Sequence, residues 1–160
     1  MAGKGKQGVA NTRIAENRKA RHEYNIEETY EAGIVLEGWE VKSLRSGKGG
    51  IADSYVIIKD GAPYLLNANI QALHSASTHV HPEPSRTRKL LLHQKEILKL
   101  TAALDRKGYT LVPLSLYWKK GFVKVQVAVA VGKKNYDKRE SDKKREWKVT
   151  RARLLHAKHS

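Results

Sequence analysis

Apolar and polar positions alternate most regularly in "FVKVQVAVAV", residues 122–131. Val123, Val125, Val127, Val129 and Val131 fall on one side, and Phe122, Lys124, Gln126, Ala128 and Ala130 on the other, which is the period of two of a strand. "YTLVPLSLYW" before it is equally rich in β-formers, with Pro113 marking an edge or a bulge, and "KKG" between the two reads as a turn. "SYVIIKDGAPYLLNANI" is a hairpin about Asp60-Gly61, a dipeptide suited to a turn whose central residues both need positive φ. Residues 24–36, "YNIEETYEAGIVL", are extended, with Tyr24, Ile26, Tyr30, Ile34 and Leu36 as apolar markers and a bulge expected near Ala32-Gly33.

Two stretches change period. "GWEVKSLRSGKGG" predicts a short helix with Trp39, Val41 and Leu44 inward, ended by Gly47, Gly49 and Gly50. In "RKLLLHQKEILKLTAALDRKG", Leu90–Leu92 enter as a strand, and from about His93 the spacing of Ile97, Leu100, Thr101 and Leu104 is helical, with Gly108 as the stop. Residues 71–87, with Pro82 and Pro84 among polar side chains, form a long loop. Five or six short antiparallel strands with a helix inserted late predict a mainly β fold, a small OB-like antiparallel barrel. A sandwich would need more strands.

Charge then separates the barrel from its ends. The chain has 160 residues and a formal net charge of +15, an excess beyond what solubility needs and one that points to a polyanion. Residues 1–23 hold six basic and two acidic side chains, residues 24–132 fourteen and ten, and residues 133–160 eleven and four. The expected organisation is therefore a flexible lead-in (1–13), a barrel (14–132) and a basic tail (133–160). Cysteine is absent, so neither disulfides nor thiolate zinc sites stabilise the fold. The first residues lack an apolar stretch of signal-peptide length and no run is long enough to span a membrane, which predicts a soluble cytoplasmic protein.

Enzyme chemistry finds little support. There is no Walker or Rossmann glycine motif, no GxSxG, and no pair of carboxylates at a metal-binding spacing. His74, His79 and His81 lack a fourth ligand at a recognised spacing and read as polar loop residues. Nucleic-acid chemistry fits better. "ENRKARHEY" sets Arg18, Lys19 and Arg21 beside His22 and Tyr24, guanidinium groups for phosphate and planar rings for unpaired bases. "RTRKLLLH" repeats the theme, with Arg86, Arg88 and Lys89 abutting an apolar run. In "GKKNYDKRESDKKREW", residues 132–147, seven cations and four acids occur with no aliphatic side chain. The pairs Lys134–Asp137, Glu140–Lys144, Asp142–Arg145 and Lys143–Glu146 sit at helical separations. Such a segment is expected to be disordered when free and helical on a polyanion, with Trp147, Val149, Leu154 and Leu155 beyond it as anchors.

"NRKARHEY", "EAGIVLEGWEVKSLR", "DSY", "TRKLLLHQKEI", "PLSLYWKKG" and "GKKNYDKR...REW" stand in the order found in the SsrA-binding, or small protein B, family, which the chain resembles from about Asn17 to Trp147. The resemblance implies an OB-like barrel with about three helices and a non-catalytic, cofactor-free, metal-free RNA-binding protein. Its partners would be the tRNA-like domain of transfer-messenger RNA, the ribosome with its 16S rRNA decoding centre, and elongation factor Tu in the delivery complex. The chain would be a monomer without a membrane partner. The barrel would take the place of a tRNA anticodon arm on a stalled ribosome, and the tail would enter the decoding centre and the empty mRNA channel for trans-translation. Asn17, Arg21, His22 and Tyr24 fall on the first RNA-facing motif, joined there by Arg18 and Lys19. Glu31, Leu91 and His93, with Arg88 and Lys89, match the grip on the tRNA-like domain. A glutamate suits such a place by accepting from base amino groups or orienting an arginine. Gly132, Lys133, Lys134, Asp137, Lys138 and Arg139 match the first tail motif, with Tyr136 where the family often has His. Lys143, Arg145 and Trp147 match the second, with Glu146 where Asp often stands, and Leu154 and Leu155 lie beyond. Ala62 departs from a frequent Glu on the hairpin. The competing reading is a general OB-type single-strand nucleic-acid binder, which needs stacking platforms and a basic groove but no folded RNA.

Overall fold

The computed structural model describes residues 13–73 and 82–133. In chain order the elements are β1 (Arg13–Glu16), α1 (Arg18–Glu23), β2 (Tyr24–Ile34), α2 (Gly38–Arg45), β3 (Gly49–Gly50), β4 (Tyr55–Lys59), β5 (Ala62–Leu66), β6 (Asn69–Ile70), β7 (Arg88–Leu91), α3 (Gln94–Leu104), β8 (Tyr109–Lys119) and β9 (Phe122–Gly132). The main sheet runs β1-β8-β4-β5-β7-β2-β9, and β9 pairs again with β8. Six strands thus close a ring, β1 lies outside it against β8, and β3 pairs with β6 alone. Every ladder is antiparallel. The OB-like barrel expected from the strand pattern is the fold found, with three helices among the described residues.

Local chemistry sets the two tight hairpins. Asp60 and Gly61 take φ of 52° and 75°, and Lys120 and Gly121 take 51° and 81°, so both turns carry the positive-φ pair that matches strand twist. Bulges bend the long strands. The β8–β9 register shifts between Pro113 and Ser115, as the proline predicts. In β2 the shift lies between Ile26 and Glu28, not at Ala32-Gly33, which stay in register with β9.

The valine face of β9 enters the core, with Val125 and Val127 at 0% exposure. The opposite face divides: Phe122 is exposed, whereas Ala128 and Ala130 form a second buried layer with Val112, Leu114 and Ala20 of α1. Residues 18–23, read from sequence only as a basic segment, are this helix. In α3, Ile97, Leu100 and Ala103 are buried. Thr101 is exposed and returns its hydroxyl to the Ile97 carbonyl at 2.8 Å, so Ala103 takes its expected place.

Helix α2 buries Trp39, Glu40, Ser43 and Leu44, with Val41 only half-buried. Glu40 is inside because it satisfies two needs. One oxygen accepts the Glu37 backbone N–H at the helix start (2.8 Å), and the other accepts Arg88 Nε at 2.6 Å. Arg88, expected on the RNA-facing surface, is 0% exposed. It donates further to the carbonyls of Ala68 (2.7 Å) and Pro84 (2.9 Å). Burial raises the Glu40 pKa, but the bonds from Arg86, the Glu37 backbone and Arg88 outweigh it and hold the carboxyl below its ordinary value. Removing one partner of a buried pair strands the other charge and costs about 3–5 kcal/mol. Arg88→Ala should therefore lower unfolding free energy by that amount in denaturant melts, a large share of a typical domain's stability of about 5–15 kcal/mol. A loss below about 1 kcal/mol would show that the pair is not needed.

Candidate nucleic-acid interface

Asn17 builds the first part of the site from within. Its Oδ1 accepts the Ala20 N–H at 3.0 Å, capping α1, and its Nδ2 donates to the carbonyls of Ile51 (3.0 Å) and Pro113 (2.9 Å). At 1% exposure it offers solvent almost nothing, so its place in the RNA-facing motif is structural: it sets the helix rather than touching a ligand. With Ala20 packed on β8 and β9, the remaining cations of α1 point out. Arg18, Lys19, Arg21 and His22 are exposed, and Tyr24 is half-buried where α1 gives way to β2. Arg21 lies 3.2 Å from Glu16 and reaches Gln126 of β9 at 3.5 Å, while Lys19 pairs with Asp53 at 2.9 Å.

The outer wall continues this surface. Register places Glu31 of β2 and Ser115 of β8 on either side of Gln126. The next row along the barrel is Gly33, Lys124 and Tyr117, with Leu91 of β7 beside Gly33. A Cβ at Gly33 would come to 3.2 Å from the Leu91 Cβ and press it aside by a few tenths of an ångström; with glycine there, Leu91 leans over bare backbone and is 54% exposed. Arg21, Glu31 and Leu91, from three separate parts of the chain, therefore share one face. Lys89 is exposed on the outer side of β7, and His93 is exposed at the start of α3, where its N–H donates to Glu96 (3.1 Å). Arg88 points the other way, into the core.

Glu31 is held by its neighbours. The Tyr117 hydroxyl donates to it at 2.7 Å and the Lys119 ammonium at 3.1 Å. The tyrosine bond, assisted by Lys119 and Lys124 and opposed by burial, keeps its carboxyl below the ordinary range. Burial and the same contact push the Tyr117 hydroxyl up. The face thus combines fixed acceptors, cations and exposed apolar side chains, the mixture suited to base edges, phosphates and unstacked bases. Gln126, Tyr117, Lys119, Lys124 and Gly33 escaped the sequence reading as site residues, although the polar side of the β9 alternation already grouped Lys124 with Gln126.

No group of three or more potential metal-binding side chains exists among the described residues, and none of their helices is long and apolar enough to cross a membrane. Gly132 ends β9 opposite Tyr24, and Lys133 is exposed. The remaining tail residues, Lys134, Tyr136, Asp137, Lys138, Arg139, Lys143, Arg145, Trp147, Leu154 and Leu155, lie outside the described residues, as do His74, His79, His81 and residues 1–12.

A small closed barrel with helix-borne cations beside a mixed polar and apolar wall defines a nucleic-acid-binding protein of the OB-like class. The profile of the family described as SmpB protein matches residues 14–157, and the chain belongs to that family. It is 54% identical to the SsrA-binding protein of Alcanivorax borkumensis over 142 residues, covering 89% of each chain. It is 53% identical to that of Dichelobacter nodosus over 152 residues, covering 95% of this chain and 96% of the relative. Among solved structures, a chain from "tmRNA-SmpB: a journey to the center of the bacterial ribosome" is similar with a TM-score of 0.62 and 47% identity, over 73% of this chain and 82% of that one.

The sign of the Glu31 effect can be tested. A carboxylate with a depressed folded pKa stabilises above the unfolded value, ordinarily about 4.5, and loses that contribution as pH falls through the folded value. The contact is exposed, so it should contribute less than about 1 kcal/mol. Glu31→Gln should melt slightly below the parent protein at pH 7, and the gap should close as pH falls below about 4. A gap that persists at pH 3 would show that the carboxylate charge is not its source.

Proposed function

We propose that this chain is the protein partner of transfer-messenger RNA in trans-translation. It binds the tRNA-like domain through the α1–β2–β7 face and, with elongation factor Tu, accompanies it to stalled ribosomes in the cytoplasm. The observation that carries this reading is identity above half with SsrA-binding proteins over 89% and 95% of the chain. On this reading the chain performs no chemistry. Exposed Arg18, Arg21, His22 and Lys89, with half-buried Lys124, supply phosphate and base contacts, Glu31 accepts from base donors, and Leu91 and Tyr24 supply apolar and aromatic surface. The tail, with its excess of cations in residues 133–160, enters the decoding centre and the vacant mRNA channel and signals correct occupancy without a codon.

The reading is tested by titrating the tRNA-like domain and an unstructured oligonucleotide of equal length at several salt concentrations. Attraction to phosphate alone weakens steeply with salt for both ligands. A preference for the folded RNA that survives moderate salt is expected; equal, equally salt-sensitive affinities would leave only a general single-strand binder.

Deleting residues 133–160 separates the two halves of the mechanism. Binding to the tRNA-like domain should change less than about threefold, because the phosphate attraction that the tail supplies matters mainly at low salt. Peptide tagging on stalled ribosomes, by contrast, should disappear. Full-rate tagging by the truncated chain would remove the tail from the mechanism.

A further inference from the structure

On the opposite side of α1 from the Glu31 wall lies a groove of about 310 Å³ lined by Lys19, Glu23, Tyr24, Asp53, Tyr55 and Thr110, among others. Helix α1 divides the two surfaces: Arg21 reaches Gln126 on one side, and Lys19 reaches Asp53 on the other. The volume matches on the order of ten water molecules, the scale of a single nucleoside and far too small for a duplex. Three features bear on what fits. Tyr55 is 40% exposed although it opens a strand of the barrel, so part of an aromatic side chain is left uncovered in the groove lining. Two carboxylates, Glu23 and Asp53, sit in the groove of a chain that is otherwise strongly basic. The Lys19–Asp53 pair joins the two walls, yet its side chains are 55% and 77% exposed, so exchanging partners costs little.

We propose that this groove is a slot for one unpaired guanine of the bound RNA, stacked on Tyr55 with Asp53 accepting from its Watson–Crick edge. Carboxylates in a phosphate-binding protein repel the phosphates of the RNA and are best matched by a donor-rich base edge. Guanine alone presents two adjacent donors there, N1–H and the N2 amino group, which match the two oxygens of one carboxylate. Adenine and cytosine set a donor beside an acceptor, and uracil flanks its single donor with acceptors, so each puts a lone pair against Asp53. Lys19, released from Asp53, is then free for the guanine O6 or a phosphate, and Arg18 and His22 stand exposed on the same helix for the flanking backbone. This inference rests on the RNA-binding reading but adds a specific base at a site apart from the wall.

The test titrates the four nucleoside 5′-monophosphates into the full-length chain and follows the backbone amides of residues 19–24 and 52–55 by NMR, with affinity for the tRNA-like domain measured in parallel. Guanosine monophosphate should shift those amides and the other three should not. Tyr55→Ala and Asp53→Asn should each weaken its binding about tenfold, and Tyr55→Phe should restore the stacking loss. Absence of shifts at the groove, or equal shifts from all four nucleotides, overturns the slot, even if the parent chain binds the tRNA-like domain normally. Failure of the parent chain to bind that domain defeats the functional reading instead, and the nucleotide arm still decides the slot.

Discussion

The buried guanidinium of Arg88 ties together pieces of chain that lie far apart in sequence. It lies in β7, yet its donors reach the Glu40 carboxylate on α2 and the carbonyls of Ala68, before the long loop, and Pro84, near its end. Glu40 in turn caps the start of its own helix and accepts from Arg86. A charge this deep must find a full complement of partners or remain unstable. The requirement is directional, which apolar burial is not. It seats α2, closes the neck of the loop and orients β7 so that Lys89 and Leu91 face outward.

That orientation determines what the barrel can present. The wall is assembled where β2, β9 and β8 lie side by side, and α1 is pinned to it by Asn17 from below. Each exposed group is backed by something rigid: Arg21 by the packing of Ala20, Leu91 by the bare backbone of Gly33, Glu31 by Tyr117 and Lys119. Exposed long side chains ordinarily lose entropy when a ligand orders them. Here the acceptor at the centre is already oriented, so a ligand bound at this face would have less ordering to impose.

The division of charge between barrel and ends suits a protein that meets two RNA surfaces. The barrel is close to electrically balanced, and the reading of shape and base edges proposed for it depends on fixed geometry. The end segments carry most of the excess charge, and charge acts over distance and needs no fixed geometry. Acidic residues within the barrel are therefore informative, since each stands where simple phosphate attraction is not the purpose.

Much of the scaffold was legible in sequence because strand period, turn dipeptides and helix stops are local. The hairpins at Asp60-Gly61 and Lys120-Gly121, the Pro113 bulge and the valine face of β9 needed no tertiary information. Arg88, expected among the surface cations by its charge, shares the alternation of Leu90 and so lies in the core with it, away from Leu91. Asn17 was open to reading as a cap, because an Asn preceding a short polar helix is a common cap. The bulge in β2 was not legible, since its position depends on which partner β9 offers at Glu27. The strand and helix inventory, the charged ends and the family motifs are properties of neighbouring residues, and the order of residues along the chain suffices to set them. The closed fold alone settled which polar side chains are inside, and that Arg21, Glu31 and Leu91 share a face while Lys19, Asp53 and Tyr55 line another. Those juxtapositions depend on closing a ring of strands far apart in the chain, and no local pattern encodes where the ring will bring them.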